Sequence, residues 1–106
     1  MNLEDFNRVV GPQLLKCTST LQVKGGEYAT EDRLHNFKIA AALEGTTVRQ
    51  ALAGMMIKHT VSIYDMCMSK ETNPMSLWSE KITDHINYLI LLRAVVEEES
   101  QKLQAL

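Results

Sequence analysis

With 106 residues and a 45% apolar content, the chain has the size of one globular domain with a modest core. Its formal net charge is −2, and its basic residues, such as Arg33 and Lys38, stand apart among acids. A protein that tracks nucleic-acid phosphates needs a Lys/Arg patch, so nucleic acid is not the expected partner. Cys17 and Cys67 fit no CxxC spacing, MNLEDFNRVV is not a secretory signal, and YLILLRAVV is too short to span a bilayer and carries Arg93. These features predict a cytoplasmic protein with two reduced thiols and no membrane partner.

Strand signals are nearly absent, and the breakers Gly11-Pro12, Gly25-Gly26, Gly45 and Asn73-Pro74 divide the chain into four helical segments. The first helix is expected over 3–23, with Gly11-Pro12 either kinking it or setting off a separate first turn. The second is expected over 31–44. Glu31 and Asp32 would then oppose the helix dipole from the first turn, and Gly45 would end it. The third is expected over 47–69, opened by the capping-box pair Thr47 and Gln50. The fourth follows Asn73-Pro74 over 75–103, with Ser76 as an alternative cap. Long helices with short connections predict a single all-α domain, an antiparallel bundle of about four helices.

At about 100° per residue, the third helix has two apolar sides. Val48, Leu52, Met55, Met56, His59, Ile63 and Met66 gather on one, and Ile57, Val61, Tyr64 and Met68 on the other. A narrow stripe of Ala51, Gly54, Lys58, Ser62 and Asp65 runs between them. Two apolar sides suit a central helix or an oligomer interface. On the fourth helix, Trp78, Ile82, His85, Leu89, Leu92 and Val96 share one side, and Leu77, Tyr88 and Val95 another. Glu80, Asp84, Asn87 and Leu91 form the strip beside them.

A carboxylate flanked by apolar residues is costly unless it is paired or binds a cation. The two stripes therefore read as a ligand or metal site, as a structural network in which Lys58 pairs with Asp84 or Glu80, or as solvated faces. His35, His59 and His85 fall on three helices without HExxH or paired spacing, which suits hydrogen-bonded core histidines better than zinc. The six methionines are most simply core filler. No nucleophile elbow, P-loop or dinucleotide fingerprint is present.

In order, KGGEYATEDRLHNFKIAA, ALAGMMIKHTVSIYDM and WSEKITDHINYLILL resemble a family of small all-α proteins common in bacteriophages and prophages. That family is distantly similar to the MazG-like all-α nucleoside triphosphate pyrophosphohydrolases and to the phage nucleotide-modification-associated domain. The resemblance spans about 24–96 and is carried by Glu27-Tyr28, Asp32-Arg33, Asn36-Phe37, Lys58-His59, Asp65, Glu80-Lys81, Asp84 and Asn87-Tyr88. It implies a four-helix core, a homo-oligomer in the cytoplasm of a bacterial host, and a nucleotide or other phosphate-bearing ligand.

Under this resemblance Glu80 and Asp84, with Asp65 as a third candidate, would hold Mg²⁺. Lys58 and Arg33 would contact phosphate, and Asn87 and Tyr88 would orient the ligand or a ligating carboxylate. The chain departs from the enzymes in lacking their early ExxE cluster, and Glu80 and Asp84 stand four apart where ExxD is usual. Positions three and four apart share a helix face, so the location of a site is expected more firmly than catalysis at it. The expected function is nucleotide-phosphate binding, with Mg²⁺-dependent pyrophosphohydrolysis as its enzymatic form. The alternative, motivated by the two-sided helices, is a non-enzymatic helical oligomer that binds a host protein or sequesters a signalling molecule.

Overall fold

The structure is a computed structural model that describes residues 1–27 and 31–105. Tyr28 and Thr30, which enter the resemblance and the expected start of the second helix, lie outside the described residues, as does the side chain of Glu27. The chain forms α1 (Leu3–Glu27), α2 (His35–Glu44), α3 (Val48–Met68) and α4 (Met75–Gln104), and no strand occurs among the described residues. Among the same residues, no helix is long and apolar enough to cross a membrane.

α1 opens on Asn2, whose side-chain oxygen accepts the Asp5 amide at 2.8 Å. Glu4 and Asp5 oppose the dipole in its first turn, and Arg8 reaches both at 2.7 Å. The helix runs through Gly11-Pro12 unbroken and passes the expected stop at 23 to reach Glu27. Glycine weakens a helix by only about 1 kcal/mol per residue, an amount that outside contacts can offset. Lys24 supplies one such contact, 3.6 Å from Asp84 of α4, and its charge also suits the negative end of the helix dipole.

α2 begins later than the sequence suggests. Asp32 precedes the helix and shapes the turn that leads into it: its Oδ1 accepts the Leu34 amide at 3.0 Å and its carbonyl accepts the His35 amide at 3.1 Å. Lys38 closes this turn at 2.6 Å from Asp32 and also reaches Glu98 of α4 at 2.7 Å. The hydrogen bonds from Lys38 and then the Leu34 amide hold the Asp32 carboxyl below its ordinary value. Hydrogen bonds to Asp32 and then Glu98 hold the Lys38 ammonium above its own.

Gly45 ends α2 in the left-handed region at φ 69°, a conformation that costs glycine least. The capping box at Thr47 is complete: the Gln50 amide donates to Thr47 Oγ1 at 3.2 Å, and the Thr47 amide donates to Gln50 Oε1 at 3.0 Å. Pro74 is the N-cap residue of α4, at φ −65°, and no side chain caps that end.

The short turn at Gly45 folds α2 back on α3. α3 and α4 run antiparallel, with Arg49 2.9 Å from Glu99 towards one end and Thr60 2.9 Å from His85 towards the other. Their shared core is Leu34, Phe37, Leu52 and Val95, flanked by Val48, Met55, Tyr88, Leu91 and Leu92. Leu52 has no exposed surface; burying a side chain of that size stabilises a fold by about 1.5–3 kcal/mol.

α1 lies across the first half of α4. Its buried Cys17 sits beside buried Thr83, whose hydroxyl accepts a 2.8 Å hydrogen bond from Gln13 Nε2. Lys16 adds a 2.8 Å hydrogen bond to Ser79.

Candidate functional site

α4 carries Asp84, Asn87 and Tyr88 at helical spacing, so the three project to one region of its surface. α1 comes in over that region from one side and α2 approaches from another. A cleft of about 610 Å³ opens between them, with Met55 and His59 of α3 contributing to its lining. Its apolar surface comes from Leu21, Phe37, Ile39, Ala40, Leu43, Met55 and Leu91. Its polar surface comes from Lys24, Arg33, His35, Asn36, His59, Asp84, Asn87 and Tyr88. An apolar cavity with a few convergent polar groups is the usual form of a small-molecule site.

Asn87 has the most informative hydrogen bonding. It is only 6% exposed, and its Nδ2 donates to the Cys17 carbonyl at 3.2 Å. That carbonyl can only accept, so the amide orientation is determined and Oδ1 points elsewhere. Oδ1 is the one buried side-chain polar atom among the described residues without a hydrogen-bond partner. A buried acceptor left so costs about 1–3 kcal/mol. The Asn87 side chain also contributes to the lining of the cleft.

Two cationic side chains, Lys24 and Arg33, line the same cleft. Lys24 lies 3.6 Å from Asp84, a distance at which the pair remains loose, and Lys24 is half exposed. Tyr88 anchors an aromatic wall: its ring centroid is 4.6 Å from that of His59 and 6.4 Å from that of Phe37, the latter edge-on. Burial holds the His59 imidazole below its ordinary value, with Asp84 partly opposing this.

The sequence-predicted residues divide cleanly. Arg33, Asp84, Asn87 and Tyr88 line the cleft. Lys58, Asp65 and Glu80 are exposed and do not line it. The polar strip of α4 is met by α1, through Lys24–Asp84 and Cys17–Asn87, and not by the Lys58–Ser62–Asp65 stripe of α3. A helical wheel reports which residues share a face but not which neighbour covers that face. The ion pair expected between Lys58 and Asp84 or Glu80 therefore does not form among the described residues.

Mg²⁺ asks for a near-octahedral oxygen set, commonly one or two carboxylates completed by substrate phosphates. Of the three acids assigned to it, only Asp84 reaches the cleft, and Lys24 stands opposite. No group of three or more His, Cys, Asp or Glu side chains among the described residues could hold a metal ion. The donor set at the cleft does not by itself fit a resident Mg²⁺. The three histidines do not converge either: His35 and His59 line the cleft, whereas His85 hydrogen-bonds Thr60 outside it.

Lys24, His35, Asn36 and His59 are the polar cleft residues that the sequence did not assign. One signal for Lys24 was present. Gln13, Cys17, Leu21 and Lys24 recur at helical spacing, a stripe that continues past the expected helix end at 23. In comparisons with protein-family models, curated proteins and solved structures, the chain matches none.

Proposed function

We propose that this protein is a receptor for a nucleotide-like small molecule, held in the cleft between α1, α2 and α4. The observation that carries this reading is the cleft itself, which sets the cationic Lys24 and Arg33 beside the aromatic Tyr88 and Phe37 and the amide of Asn87. A ligand suited to these features has an anionic phosphate end and a flat or hydrogen-bonding part such as a base or sugar supplies. Tyr88 and Phe37 offer aromatic surface for a flat ring, and His35 and Asn36 add polar groups from the first turn of α2. That turn contains no acid within the helix, so the positive end of its dipole adds to the attraction for an anion.

The resemblance to phage nucleotide-associated proteins points to the same ligand chemistry, and hydrolysis is the part of it with least support. Asp84 is the one expected acid at the cleft, so binding is the proposed activity.

Isothermal calorimetry against nucleoside mono- and triphosphates and inorganic phosphate, with and without Mg²⁺, tests this. The expected result is saturable heat for at least one nucleotide, lost in Arg33→Ala and Asn87→Leu and absent with phosphate alone. Pyrophosphate release is followed in the same samples; turnover abolished by Asp84→Asn would make the protein an enzyme. No heat with any nucleotide would overturn the proposal.

A further inference from the structure

The chain exposes 7814 Å², whereas a compact monomer of 12.0 kDa exposes about 6,000 Å². The excess of about 1,800 Å² is larger than the roughly 800 Å² that each partner contributes to a standard protein–protein interface. The radius of gyration, 16.4 Å, likewise exceeds the ~13 Å of a compact domain of this length.

Part of the excess is concentrated on α3. Ile57, Val61, Tyr64 and Met68 are each at least half exposed, and their 4-3-4 spacing is that of a coiled-coil seam. α2 packs on the other side of α3, and α1 meets only α4, so neither covers the seam. Lys58 and Asp65 flank it on one side, both exposed, and neither forms an ion pair with a described residue.

We infer that this seam is the contact with a second copy of the chain, α3 against α3, antiparallel about a two-fold axis passing between Ser62 and Ile63. In that register Ile57 of one copy packs against Met68 of the other, and Val61 packs against Tyr64. Reversing one helix then brings Lys58 of each copy beside Asp65 of the other, twice by symmetry. A parallel pairing would instead put the two copies' Lys58 and Asp65 on opposite edges of the seam, where neither meets an opposite charge. Only the antiparallel direction pairs these opposite charges, so the charges favour it. The small net charge of −2 adds little repulsion between copies. The seam lies apart from the cleft, so this inference does not depend on the proposed ligand.

The test is the mass of the full chain by sedimentation equilibrium, with helix content followed by circular dichroism. The wild type is expected at twice 12.0 kDa in the micromolar range. Val61→Lys is expected to raise the dimer Kd by about 100-fold or more, since it sets a charge in each copy's seam. Lys58→Glu and Asp65→Lys are each expected to raise it about tenfold, and the double variant Lys58→Glu/Asp65→Lys to restore dimerisation. The two charge substitutions lie on the surface and leave the fold intact, so they decide the matter even if Val61→Lys does not fold. A wild-type monomer would overturn the inference, as would a dimer indifferent to the single charge changes or one that the double variant fails to restore.

Discussion

Replacing Asn87 with leucine separates a functional residue from a structural one. Leucine has a similar branched shape and makes no hydrogen bonds. The substitution removes the buried, partnerless Oδ1, relieving about 1–3 kcal/mol of desolvation cost, and it also removes the Nδ2 hydrogen bond to the Cys17 carbonyl, worth about 0.5–1.5 kcal/mol. The net expectation is a gain of about 1 kcal/mol. With a urea m-value of about 1–2 kcal/mol/M for a chain of this size, the unfolding midpoint rises by about 0.5–1 M at fixed protein concentration. Nucleotide affinity should fall by about tenfold or more in the same variant, because the cleft loses a polar side chain from its lining and gains an apolar one. A midpoint corresponding to a loss of more than about 2 kcal/mol would refute the reasoning, since Oδ1 would then be serving the fold.

Leu52→Ala, at the fully buried centre of the α2–α3–α4 core, should cost about 2–5 kcal/mol by chemical denaturation. A cost below about 1 kcal/mol would mean that this core does not hold the helices together. Thr47→Ala breaks the capping box and should cost about 1 kcal/mol, a loss that Thr47→Ser largely avoids. His59 supplies a pH test. Burial lowers its folded-state pKa below the ordinary 6.5, so the unfolded chain takes up the proton first as pH falls. The stability tied to neutral His59 is full above about pH 6.5 and is lost as pH drops towards the folded value. The urea midpoint should therefore fall between about pH 7.5 and 5.5, and fall less in His59→Gln; equal slopes in the two proteins would contradict this.

What could be read from the sequence divides by the range of the interactions involved. The capping box at Thr47 and the left-handed Gly45 depend on residues within one turn, and both stand where the pattern placed them. The ends that moved are the ones held by distant partners. α1 continues past two glycines with Lys24 held against Asp84, sixty residues away in the chain. Asp32 sits ahead of α2, in a turn that Lys38 closes while also reaching Glu98.

The site follows the same rule. Asp84, Asn87 and Tyr88 were visible as a polar interruption in an apolar helix, and Arg33 as a cation near a helix start. Lys24 and His59 come from the helices that pack around α4, and periodicity within one helix does not say which neighbour will cover it. The Lys58–Asp65 stripe shows the converse. Its spacing was plain, but its partner was assigned to α4, whereas α1 occupies that position.

The most direct measurement of the central claim is a ¹⁵N-resolved NMR titration of the full chain with a nucleoside triphosphate, following the Asn87 side-chain amide and the backbone amides of Arg33 and Tyr88. The proposed binding predicts that these signals shift together and saturate, while those of Val61 and Asp65 on the opposite seam stay in place. Shifts absent from Asn87, or confined to the exposed faces of α3, would contradict a ligand in the cleft.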